Sequence, residues 1–304
     1  MPKRVLVLSG GGSKGAFQFG AEQYLREVKG YRWDIIAGVS VGALNGVMLT
    51  MGRYRELEQL WHTITAEQVY TGGNIMSYLR LIFGARSVYS NAPLRELIGR
   101  LYDQRLVNNS PIDLRVGAVS LDSGAYERFG NRPNVLRGIR PISAEAVLAS
   151  TAIPVVWEPV ALPGIARDTV DGGVRNISPL GDVLEDDPDE VVIINTNPIP
   201  YEPPGDVGSQ PFVRIVRLTL DVLLDEIFVN DVREFLRLND LVMQAETQGL
   251  TLFKDASNTR PLQYYRAVVI SPSKPLQDTI DFSRDKLERA IELGRERARL
   301  ATGG

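Results

Sequence analysis

Short apolar runs alternate along the chain with longer stripes at helical spacing. The runs Val5–Ser9, Ile35–Val39, Leu114–Val119, Val191–Asn195 and Tyr264–Ile270 have the length and β-branched content of buried strands. Between them, Leu57, Leu60, Trp61 and Ile64 recur at i, i+3, i+4 and i+7. Leu94, Leu97, Ile98 and Leu101 repeat the stripe after Pro93, a residue suited to a helix's first turn. Further helices are predicted over Val41–Thr50, over Ser143–Ser150, from Phe212 through Leu238, and over Ser283–Leu300, where Leu287, Ile291, Gly294 and Ala298 share a face. Strands alternating with helices predict an α/β fold with a mainly parallel central sheet and helices on both faces. Tyr201–Pro211 reads as a long loop rather than a boundary, because Tyr264–Ile270 looks like one more strand of the same sheet. The expectation is one α/β domain over 1–304, with a motif-bearing core in 1–200 and a mostly helical part, 212–304, packed on it.

Composition narrows the picture without identifying it. A chain of 304 residues, 44% hydrophobic, can bury a full core, and a net charge of −3 gives no reason to expect nucleic acid as partner. The absence of cysteine excludes disulfides and thiolate metal sites. The apolar run after Lys3-Arg4 stops at Leu8, well short of a secretory signal, and no stretch approaches the ~18 apolar residues that span a bilayer. A cytoplasmic protein whose membrane contacts are peripheral is the expectation.

Candidate chemistry centres on Ser40. It lies in GVSVG, Gly38 to Gly42, between a predicted strand and a predicted helix, as in a nucleophile elbow. Gly38 and Gly42 would let strand and helix cross closely. A second motif, Gly10-Gly11-Gly12-Ser13-Lys14-Gly15, follows the first strand and precedes a helix. It satisfies the dinucleotide pattern G-x-G-x-x-G and fails the P-loop pattern, since Ala16 stands where the lysine belongs. Against a dinucleotide, the second strand's carboxyl end carries Ser40 where an acidic ribose ligand is needed. Against a mere packing turn stands that nearby serine, which favours an oxyanion hole built from free glycine N–H groups.

The base is the open question. The chain's single histidine, His62, lies beside an apolar stripe and reads as a solvated helix residue, so a Ser-His-Asp triad is not expected. The segment DGGVRNISP offers Asp171, followed by Gly172 and Gly173. An aspartate is a weak base in water, so this use requires contact with the serine hydroxyl and desolvation. Asp168 and Asp122 are the alternatives.

Taken in order, the glycine loop, GVSVG, ASTAIP (Ala149 to Pro154) and DGGVRNISP resemble the patatin-like phospholipase family across residues 5–180; SVYSNAPLREL, Ser87 to Leu97, also looks like a family segment. The resemblance implies a lipid acyl hydrolase with a Ser-Asp dyad and neither metal nor cofactor. By position, Ser40 would be the nucleophile, Asp171 the base and Gly10–Gly12 the oxyanion donors, flanked by Lys14 and Gly15. The substrate would be a lipid ester presented by a membrane or micelle surface. An acyltransferase with the same dyad, and a nucleotide-binding module using the glycine loop, are the rival readings.

Three weaker features carry expectations of their own. Tyr70–Phe83 reads as ordinary core, with a lid or acyl-chain wall as the alternative. The acidic run Glu185–Glu190 lacks the order of a calcium loop and reads as solvated. The C-terminal helix interleaves acidic with basic residues and reads as docked on the core rather than on anionic lipid.

Overall fold

A computed structural model describes residues 2–72, 84–199, 212–254 and 260–303. The Tyr201–Pro211 loop, and most of the lid segment (73–83), lie outside the described residues. The strands are β1 (Arg4–Leu8), β2 (Ile35–Gly38), β3 (Thr71–Gly72), β4 (Tyr89–Ser90), β5 (Asp113–Ser120), β6 (Tyr126–Gly130), β7 (Ile139–Pro141), β8 (Val160–Leu162), β9 (Ala166–Asp171), β10 (Glu190–Ile194) and β11 (Arg266–Ile270). β3 and β4 pair only with each other, and the rest form one sheet in the order β11-β10-β1-β2-β5-β6-β7. The five strands from β11 to β5 run parallel, as the alternating pattern predicts. β6 and β9 pair antiparallel to β5, and β8 antiparallel to β9.

Period two along the central strands explains why both faces are covered. Leu6 and Leu8 of β1, Ile36 of β2, and Val192 and Ile194 of β10 point into the larger core cluster. Val5, Val7, Ile35, Ala37, Val191 and Ile193 point the other way, against Leu180, Val183, Val232 and Phe235. The larger face is roofed by the helices Gly15–Glu27, Val41–Thr50 and Arg284–Ala301. The last of these buries Leu287, Ala290, Ile291, Gly294 and Ala298, so it docks on the core as its stripe predicts.

The structure departs from the sequence reading in three places. Phe212–Thr247 is one helix of 36 residues, longer than its apolar stripe indicates. Strands β6 to β9 had no counterpart among the predicted runs. YERFG and ARDTVD are too polar for a buried-run signal, because they lie where the sheet passes from central to peripheral. The acidic run 185–190 is only partly solvated. Glu190 opens β10 and is buried, paired with Arg4 of β1 at 2.6 Å and Arg266 of β11 at 3.4 Å. Asp186 pairs with Arg115 at 2.6 Å and Arg137 at 2.9 Å. A run of carboxylates looks solvated only while its cationic partners, remote in sequence, are out of view.

Candidate active site

Register brings Ser40 and Asp171 together. On one edge of β5, β2 pairs as far as Gly38, opposite Val116. Two residues further along that edge β9 takes over, with Asp171 opposite Ala118. The β2 chain turns away at Ser40, two residues past Gly38, so serine and carboxylate arrive at one level from opposite directions. A Cβ on Gly172 would run into the Gly117 carbonyl and approach Val39, so glycine after Asp171 lets the strands meet.

The turn at Ser40 is built as an elbow. Ser40 has φ 55° and ψ −128°, a region that costs a non-glycine residue ~1–3 kcal/mol. Its N–H donates to the carbonyl and the Oγ of Ser150, each at 3.1 Å, which holds the strained turn. A Cβ on Gly38 would strike the Gly42 carbonyl, and one on Gly42 would strike the Leu8 and Ser9 carbonyls. Both glycines are therefore required by the crossing of strand and helix.

Asp171 is buried, 3% exposed, and no cation pairs with it. Oδ1 accepts from the Gly173 N–H at 2.7 Å, while Oδ2 has no hydrogen-bond partner among the described residues. Burial pushes the carboxyl up to about 7, a rise moderated by the Gly173 N–H and the Ser40 hydroxyl. The Ser40 hydroxyl thus stands close enough to the carboxylate to favour its charged form.

The glycine loop emerges from β1, next to β2, and meets the elbow from its other side. Gly10 approaches Ser40 so closely that a Cβ there would lie 3.3 Å from the serine Cβ. Among the described residues, none of the N–H groups of Gly10, Gly11 and Gly12 donates to a protein acceptor. The Gly10 carbonyl, in contrast, accepts from Thr196 Oγ1 at 2.5 Å and Ser9 Oγ at 3.1 Å. Gly15 anchors the loop's far end, its carbonyl accepting from Asn45 Nδ2 at 3.1 Å. Lys14 flanks the loop, its Nζ donating to Asn197 Oδ1 at 2.6 Å.

Ser40 and Gly12 open on an apolar cavity. The two stripes read from sequence, Leu57-Leu60-Trp61-Ile64 and Leu94-Leu97-Ile98-Leu101, supply much of its wall. Sequence reasoning missed that role, because a stripe reveals that a face is buried but not what it faces. Trp157, Thr151 and Phe282 complete the wall near the serine. Of these, Thr151 lies in the ASTAIP block, the one signal that pointed at this region.

The remaining candidates lie elsewhere. His62 is not part of the cavity wall. Asp168 pairs with Arg86, and Asp122 accepts from the Arg167 N–H at 2.6 Å, so both alternative bases are committed to surface ion pairs. Among the described residues no cluster of three or more potential metal ligands occurs, and no helix is long and apolar enough to cross a membrane.

The profile of the patatin-like phospholipase family matches residues 6–184. A cGAMP-activated phospholipase of Escherichia coli is 25% identical over 186 residues, covering 56% of this chain and 52% of that protein. The Mycobacterium tuberculosis NTE family protein Rv1063c is 27% identical over 222 residues, covering 72% and 57%. Bacillus subtilis YqhO is 27% identical over 202 residues, covering 57% and 64%. The chain thus matches between half and two thirds of the length of these relatives. The crystal structure of VipD from Legionella pneumophila superposes with a TM-score of 0.53 at 14% identity, covering 99% of this chain and 67% of that one, which speaks to the fold alone.

Proposed function

The chain belongs to the patatin-like phospholipase family, and on that premise we propose that it is a metal-independent serine hydrolase of lipid acyl esters working through a Ser40–Asp171 dyad. The observation that carries the reading is Asp171 itself. A buried carboxylate with no cation, one free oxygen and the Ser40 hydroxyl beside it is costly to the fold unless used.

In the mechanism, Asp171 Oδ2 accepts the hydroxyl proton as Ser40 Oγ attacks the ester carbonyl carbon. The carbonyl oxygen becomes an oxyanion facing the free N–H groups of Gly10–Gly12, beside the N-terminus of the Val41–Thr50 helix. Each such donor is worth ~3 kcal/mol in a water-excluded site. Collapse breaks the ester bond, and Asp171 returns its proton to the departing alcohol or lysolipid oxygen. The acyl group, now on Ser40, occupies the apolar cavity. Water then gives a proton to Asp171 and its oxygen attacks the acyl carbon; on collapse the fatty acid leaves and the proton returns to Ser40. No histidine is required, because burial supplies the basicity that imidazole gives in a triad.

The test is fatty-acid release from a mixed lipid panel, read by mass spectrometry in the presence of EDTA, with Ser40→Ala as control. Release by the wild-type chain and none by the variant is expected. Equal release by both would overturn the assignment of Ser40.

A further inference from the structure

Three glycines in a row have no side chains with which to hold a conformation, yet an oxyanion hole demands one. Thr196 holds the Gly10 carbonyl. What holds Gly12 and Ser13 comes from the far end of the chain, outside the 6–184 family match. Residues 271–283, between β11 and the Arg284–Ala301 helix, cross the same edge of the sheet and lie on the loop.

Ser13 is fully buried and is engaged by this strap at every polar group. Its N–H donates to the Thr279 carbonyl at 2.8 Å and its Oγ donates to the Asp278 carbonyl at 2.9 Å. Its own carbonyl accepts from Gln277 Nε2 at 3.3 Å. Gly12, at φ 56°, packs so closely under the strap that a Cβ would run into the Thr279 carbonyl. At the next residue, the Ile280 carbonyl accepts from the Tyr70 hydroxyl at 3.0 Å, and Phe282 joins Gly12 and Ser40 in the cavity wall.

We propose that residues 277–279 clamp the glycine loop through Ser13, setting the direction of the Gly11 and Gly12 N–H groups toward the ester oxygen. Ser13 and Gln277 are then positioning residues for acyl transfer. This rests on the dyad reading above, in which those N–H groups receive the oxyanion. A clamp affects the transition state more than ground-state lipid binding, because the donors meet full negative charge only in the tetrahedral intermediate.

The test compares Ser13→Ala, Gln277→Met and, as an exposed control on the same strap, Lys274→Ala. Gln277 is only partly buried, so its variant keeps the volume and loses the donor without emptying the core. Each protein is assayed for ester hydrolysis and for the rate of labelling at Ser40 by a fluorophosphonate, whose phosphoryl oxygen would use the same N–H groups. Active-site titration corrects every rate for misfolded protein. Expected are falls in kcat of about 10–100-fold for Ser13→Ala and about 3–10-fold for Gln277→Met, with KM within about twofold and labelling slowed in proportion. Lys274→Ala should match wild type, and the pH profile of all variants should keep its midpoint, since Asp171 is untouched. Wild-type rates per titrated site in both Ser13→Ala and Gln277→Met would overturn the clamp and leave the dyad standing. Absence of Ser40 labelling in the wild-type chain would overturn the dyad and the clamp together.

Discussion

Two buried clusters of ionisable groups, both reached by β5, handle the cost of burial in opposite ways. Near its start, Arg115, 3% exposed, joins Asp113 at 2.8 Å and Asp186 at 2.6 Å and donates to the Asp182 carbonyl. Burial alone would raise Asp186, but Arg115 and Arg137 outweigh it and hold the carboxyl below the usual range. Near its end, Asp171 has only neutral donors and rises to about 7. A raised carboxyl does not by itself mark chemistry. Asp182 also rises to about 6 through burial, yet it accepts from the Tyr126 hydroxyl at 3.0 Å and has Arg128 at 3.8 Å. What sets Asp171 apart is an oxygen with no partner among the described residues and the hydroxyl of Ser40, a residue of the cavity wall, beside it. The first cluster spends its charges on each other; in the proposed dyad the second keeps one to take a proton.

The contrast breaks most sharply at Asp171→Asn, expected to cut kcat by about 10³-fold or more while the fold survives. The same substitution should stabilise the chain at pH 8. With a native pKa near 7 and an unfolded value near 3.9, the native state binds the proton more tightly. Stability from this group is therefore complete below pH ~4, falls as pH rises toward 7, and stays lost above. The penalty relieved is at most about 4 kcal/mol, the larger part of it readable by urea denaturation at pH 5 and pH 8. Wild-type activity should rise over the same interval, with a midpoint near 7 as Asp171 ionises. A rate constant independent of pH between 5 and 9 would remove Asp171 as the base.

Arg115→Met tests the other cluster. It strands Asp113 and leaves Asp186 to Arg137 alone among its close partners, and should cost about 3 kcal/mol of stability in urea melts, with kcat per folded molecule nearly unchanged. A loss of kcat without a loss of stability would mean that the clusters are coupled. The smallest effect is expected at His62→Ala, which should leave kcat within about twofold of wild type in the same lipid assay. A loss beyond tenfold in folded protein would contradict a histidine-free mechanism.

Much of the candidate site was legible because its constraints are local. Gly38 and Gly42 around Ser40 and Gly172 after Asp171 each answer to backbone at a single crossing, and such contacts leave a spacing in the chain, whereas Gly11 and Gly12 meet Thr196 and Thr279 from distant segments. The parallel core was legible for a similar reason, since burial on both faces makes each central strand a short apolar run. Strands β6 to β9 were not, because short strands with polar, partly exposed residues carry no such run.

What only the folded chain decided is the pairing of distant groups. Periodicity shows that Leu57 and Leu94 face inward, but only packing makes their stripes the wall of one cavity with Ser40 at its end. The acidic run 185–190 looked solvated until Arg115, Arg137 and Arg4 were brought to it. The same holds for Asp171. Its identity as an aspartate is local, but its basicity is a matter of solvent exclusion and of charges that are absent nearby, which depend on every element packed around it. Chain connectivity encodes backbone geometry over a few residues, whereas dielectric environment and charge pairing are sums over neighbours that sequence distance does not order.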